Sequence, residues 1–197
     1  MTSSNQTQVN LVTALQNLST QYINQYQRIN SSLPTVEQDD EWPSPCEVSL
    51  PDSEKKLSAG QTFWHPVNIE AQEGLSFDNV ESALELTLHH DIKTYFTTLY
   101  SESIDASCNE GELSLLFAWS KEDFQRLQEN LIGHVLMKQR MKQKETVFFA
   151  VTDEEDMIIS VDNETGAVCV EQIGCDPHKK IADSLIEFIA MIKPVIK

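Results

Sequence analysis

The stretch WSKEDFQRLQENLIGHVLMKQRMKQKETVFFAVTDEEDMIISVDNETGAVCVEQ, residues 119–172, carries one helix pattern followed by three strand-like runs, and it decides the fold class. Ser120 and Asp123 stand three apart as a capping box, Trp119 and Phe124 hold the N′ and N4 positions of a hydrophobic staple, and Glu122 stands one turn before Arg126. Phe124, Leu127, Leu131 and Val135 recur at the helical period. Lys138, Arg140, Lys142 and Lys144 crowd the end where the helix dipole favours cations. Residues 146–151, 156–161 and 167–172 are then rich in Val, Ile and Phe, separated only by Asp153-Glu154-Glu155 and by Asp162-Asn163-Glu164-Thr165-Gly166. Links this short permit antiparallel pairing, whereas a parallel crossover needs about a dozen residues or more. The spacing predicts an α+β fold in which an antiparallel meander sheet has helices packed around it and covering one face.

Outward from that stretch the signals weaken. Leu11, Leu15, Leu18, Tyr22 and Tyr26 predict an amphipathic helix over residues 8–28 that packs on the domain. Residues 31–62 carry Pro34, Pro43, Pro45, Pro51 and Gly60 around an acidic run, and read as a long loop region with a short strand at 47–50. Ser76 caps a helix over 76–86, with Phe77, Val80, Leu84 and Leu88 turned inward and Asp78, Glu81 and Glu85 outward. A second helix is expected over 91–100 and a strand over 112–117. Pro177 starts a last helix that buries Ile181, Leu185, Phe188 and Ile192 and stops at Pro194. The 197 residues are expected to form one domain, with an α+β core from 63 to 197.

Acidic residues number 31 against 14 Lys and Arg, a formal net charge of -17. The imbalance is patterned: residues 37–123 hold 19 acids and 4 bases, 124–144 hold 1 acid and 5 bases, and 145–176 hold 9 acids and no base. A surface this negative argues against nucleic acid and against anionic lipid, both of which need basic footprints. It is suited to a basic partner. No run approaches the roughly 20 apolar residues of a membrane span. The first base is Arg28, so no charged segment precedes an apolar signal core, and a cytosolic protein is expected. Cys46, Cys108, Cys169 and Cys175 lack metal-site spacing and are expected as four reduced thiols.

Catalytic patterns are missing. His89 and His90 are adjacent, so on a helix or a strand their rings are expected to diverge rather than chelate one ion. His134 lies on the apolar side of its helix and reads as a satisfied core or rim histidine. Cys46 sits in the rigid Trp42-Pro43-Ser44-Pro45-Cys46, but a nucleophile needs a nearby base, and only the fold could bring His65 or His134 there. No phosphate loop, nucleophile elbow or dinucleotide fingerprint occurs. A binding protein is expected, neither enzyme nor metalloprotein, with no cofactor.

The run from Trp119 to His134, continuing to Lys138 and Arg140, resembles the Syd family of bacterial SecY-interacting proteins. Capping explains Ser120 and Asp123 but not the whole run. Pro43-Ser44-Pro45-Cys46, Trp64 with Pro66, Val80-Glu81, Tyr95-Phe96-Thr97-Thr98, Ile159-Ser160-Val161, Gly166 with Val168-Cys169, Leu185 with Glu187-Phe188, and Lys193-Pro194 extend the likeness from about residue 8 to 197. The resemblance implies a SUKH-like α+β fold and a monomeric, peripheral protein of the cytoplasm and the cytoplasmic face of the inner membrane. It implies binding to the basic cytoplasmic loops of SecY through an acidic concave surface, and interference with faulty translocon complexes. The competing reading is an immunity-type or nucleic-acid-mimicking inhibitor that fills a basic cleft with the same acids.

Cytoplasmic loops of membrane proteins are rich in Lys and Arg, an independent reason for such a partner. The candidate contacts are the helix acids Asp78, Glu81 and Glu85, the strand acid Glu112 and the hairpin acids Asp153, Glu154, Glu155 and Asp156, expected to border one concavity. Exposed ion pairs give only about 0.2–1 kcal/mol each, while micromolar affinity needs about 8 kcal/mol. An apolar anchor is therefore expected, with Trp42, Phe63 and Trp64 as candidates.

Overall fold

The computed structural model describes residues 3–48 and 57–197. Helix α1 (Ser3–Asn30) buries Leu11, Leu15, Leu18 and Tyr22 as the 3.6 period requires. The region that follows is more ordered than its prolines imply. Strands β1 (Thr35–Glu37), β2 (Glu47–Val48) and β3 (Gln61–Trp64) form a small antiparallel sheet in the order β1-β3-β2, so only half of the strand expected over 47–50 lies among the described residues. Next, β4 (Val67–Asn68) leads to α2 (Asp78–Leu84) and α3 (His90–Phe96). The second of these ends earlier than its sequence predicts, because Leu99 and Tyr100 form β5 against β4.

The main sheet has seven antiparallel strands in the order β11-β10-β9-β8-β7-β6-β12. They are β6 (Ile104–Cys108), β7 (Gly111–Leu115), β8 (Thr146–Thr152), β9 (Met157–Asp162), β10 (Val168–Gln172), β11 (Lys179–Ala182) and β12 (Lys193–Pro194). The 20-residue α4 (Lys121–Arg140) joins β7 to β8, and α5 (Leu185–Met191) joins β11 to β12. The meander from β8 to β10 is as expected. Residues 179–182, however, continue the sheet, and the last helix starts only after Ser184, whose hydroxyl accepts from the Glu187 amide.

Helices cover both faces of the sheet, not one. On β9, consecutive side chains point to opposite sides. Ile158 lies beneath α4, on the same side as Phe148, whose ring meets His134 at 5.3 Å. Phe149 turns to Tyr95 on α3 and Phe188 on α5. The buried side chains form one cluster from Leu11 on α1 to Ile192 after α5.

Candidate functional site

The hairpin between β8 and β9 places four acids, Asp153 to Asp156, in a row of exposed residues. Asp156 takes a left-handed conformation, φ 67°, that closes the turn, and its carbonyl accepts from the Ile173 amide. Leu113 pairs with Thr152 across β7 and β8, which brings Glu112 next to Asp153. Glu112, Asp153 and Glu154 line one concavity of about 240 Å³, together with Glu110, on the face of the sheet that carries Ile159. Two cations temper this field. Lys179 pairs with Glu110 at the mouth, and the Lys197 ammonium stands 3.6 Å from Glu112 and 3.4 Å from Asp105. Glu155 and Asp156 remain at the tip, exposed.

The helix acids do not join this group. Asp78 borders a separate groove beside Lys121 and Glu129. Glu81 is structural: its carboxylate accepts from the Lys93 ammonium at 2.7 Å and from the Leu88 amide at 2.9 Å, and the bond from Lys93 holds it below the usual carboxylate range. Glu85 lies past the last turn with φ 52°, closing α2 in the left-handed region. Helical spacing in sequence therefore does not make one free acidic face, because Glu81 is taken by Lys93 and Glu85 lies beyond the last turn of α2. Ser76 accepts from the Asp78 amide but stands one residue before the N-cap position, which Phe77 occupies.

The aromatic candidates separate too. Trp64 is a core residue, 2% exposed, stacked 6.0 Å from Tyr22 and meeting Trp119 edge-on at 6.1 Å. Phe63 is also buried. Trp42 is 39% exposed, and the Arg126 guanidinium lies 4.7 Å over its ring. That contact takes Arg126 from the expected pair with Glu122, which instead accepts from the Ser120 hydroxyl. Ser120 caps α4 as read, accepting from the Asp123 amide at 3.2 Å, while the Asp123 carboxylate takes the Trp119 amide one residue earlier than a capping box would. Phe124 meets Phe77 at 5.1 Å, so the two rings of the expected staple have different partners.

Two histidine readings need revision or completion. His89 is the N-cap residue of α3, outside the helix, and its ring lies 4.5 Å from that of His90. The rings therefore converge. With Asp91 they place three donors within 4.8 Å, the group among the described residues that could hold a metal ion. His90 Nε2 lies 2.9 Å from an Asp91 oxygen. His134 is buried as expected, 3.3 Å from the Thr146 hydroxyl and 3.4 Å from Glu171. All four cysteines are free. Burial pushes the Cys46 thiol up to about 11, which makes it a poor nucleophile.

Sequence reasoning missed a further concavity. Between α4 and the β8–β10 strands runs a groove of about 450 Å³, lined by Gly133, Met137, Phe148, Val151, Ile158 and Ile173. Its residues come from three separate parts of the chain, and the one visible sign was that capping does not explain the whole run from Trp119 to His134. Among the described residues, no helix is long and apolar enough to cross a membrane.

Known proteins match the chain over most of its length. The profile of the Syd protein family (SUKH-2) matches residues 12–194. Protein Syd of Colwellia psychrerythraea is 55% identical over 98% of this chain and 95% of its own length. Protein Syd of Pseudoalteromonas atlantica is 43% identical over 81% of this chain and 83% of its own. Protein Syd of Yersinia pestis is 35% identical over 95% of this chain and 98% of its own.

Proposed function

The chain belongs to the Syd family, and from that premise we propose that it is a non-enzymatic regulator that binds the basic cytoplasmic loops of SecY and acts on faulty translocon complexes. It works as a monomer in the cytoplasm and at the cytoplasmic face of the inner membrane, held there through SecY rather than by lipid. The observation that carries the reading is the convergence of Glu112, Asp153 and Glu154 on one concavity, with Glu155 and Asp156 beside it. Acids spread over the surface are screened beyond a Debye length of about 8 Å, whereas acids within one concavity add their fields. Such a field speeds capture of a Lys- and Arg-rich loop and rejects acidic partners.

The test is recovery of partners from a detergent extract of whole cells. The tagged protein is expected to retain SecY and to release it as salt rises. Recovery of a soluble basic protein in place of SecY would support the inhibitor reading, in which the same acids fill a basic cleft.

A further inference from the structure

We infer that the groove between α4 and β8–β10 is the apolar half of the docking surface: it takes a leucine- or phenylalanine-sized side chain from the same basic segment that the acidic hairpin attracts. The inference rests on the proposed binding of SecY and adds a second site to it. Ion pairs at an exposed surface bring a partner in but hold it weakly, and affinity comes from a few apolar anchors in formed pockets. Trp64 and Phe63 are buried in the core and cannot serve. The groove is open. Val151 is 37% exposed and Ile173 50%, and between them lie Phe148 and the buried Ile158. Single exposed apolar residues are ordinary, but these share one concavity.

Gly133 supplies an independent sign. It sits in the interior of α4, where glycine is less favourable than alanine, and it lacks the positive φ that would call for glycine. A Cβ built on it meets nothing within 4 Å. Neither the backbone nor the packing of this chain requires glycine there. The open space leaves room for a partner side chain laid against the helix.

The groove is also preformed and flanked by acid. Beneath it the His134 ring is fixed by Phe148, Thr146 and Glu171. Glu129 lines the α4 side, and the hairpin acids Asp153 to Asp156 join the strands that carry Val151 and Ile158. Ile158 and Ile159 face opposite sides of the sheet, so the acidic hairpin stands at the edge between this groove and the acidic concavity. An occupant of both carries an apolar residue flanked by Lys or Arg.

The test uses inverted inner-membrane vesicles, SecY-enriched and SecY-depleted, titrated at low and moderate salt. Four proteins are compared: wild type, Gly133→Leu, the pair Val151→Ser with Ile173→Ser, and the acid reversal Glu154→Lys with Glu155→Lys. Both groove variants are expected to bind SecY-enriched vesicles roughly tenfold more weakly at either salt, since apolar contact is not screened. The acid reversal loses most at low salt. Thermal melts check folding, and the exposed serine pair carries the test if Gly133→Leu melts early. Groove variants that bind like wild type while the acid reversal weakens binding would overturn this inference alone. Equal binding of wild type to both vesicle types would overturn the proposed function and this inference with it.

Discussion

Lys138 and Glu171 are both fully buried, and their ammonium and carboxylate meet at 3.0 Å beneath α4. Lys138 also donates to the Cys175 carbonyl, and the Thr146 hydroxyl lies 2.9 Å from a Glu171 oxygen. Burial alone would raise the Glu171 carboxyl, but the bonds from His134 and Lys138 outweigh it and hold the group below its usual range. Removing one partner of such a pair leaves a poorly compensated buried charge. Lys138→Met is expected to lose about 3 kcal/mol or more in chemical denaturation, and adding Glu171→Leu to recover most of it. A single variant as stable as wild type would mean that Lys138 reaches solvent. Because the folded value of Glu171 lies below the unfolded one, its stabilisation is complete above pH values near the ordinary carboxylate range and is lost as pH falls through the folded value. Melts from pH 7 downward should show that loss in wild type and little of it in the double variant. Ser120→Ala should cost about 1 kcal/mol, since the hydroxyl caps the Asp123 amide; an unchanged melting temperature would count against that cap. The cap was legible from neighbouring residues. The Lys138 pair was not, because its partner lies 33 positions away on another element.

Element by element, the chain was legible where a signal repeats within one turn or one strand. The capped and amphipathic α4 and the Val- and Ile-rich β8 to β10 agree with their patterns. Short strands escaped except for β2, expected over 47–50: β11 begins with Lys179 and Lys180, and β1 and β3 lie in the proline-rich region, so pairing with a neighbour rather than local preference makes them strands. The same division runs through the candidate site. The register of β7 on β8 brings Glu112 to Asp153 and Glu154, while Asp78 borders another groove and Glu81 is taken by Lys93. The groove under α4 left no periodic signal. At this scale Gly133→Ala is expected to stabilise the free protein by up to about 1 kcal/mol, because alanine is the better helix former and its methyl group meets open space. A destabilised variant would mean that the helix packs more closely there.

At the scale of the whole molecule, one buried cluster links α1, the sheet and α5, and we expect a single folding unit. Far- and near-ultraviolet circular dichroism should report coincident thermal transitions, and a separate early transition would divide the chain into two units. The same assembly sets the electrostatics. A net charge of -17 repels like-charged surfaces, and Glu112 with Asp153 and Glu154 of the β8–β9 hairpin concentrates part of it in one concavity. The most direct measurement is binding of wild type, of Glu112→Lys/Glu154→Lys/Glu155→Lys, and of the control Asp78→Lys/Glu85→Lys to SecY-containing membranes at low and moderate salt. Both variants should fold, since every altered side chain is exposed. The triple variant is expected to bind at least roughly tenfold more weakly at low salt with a flattened salt dependence, and the control to stay near wild type. Equal affinity and equal salt dependence for all three proteins would contradict the proposal that the hairpin field captures SecY.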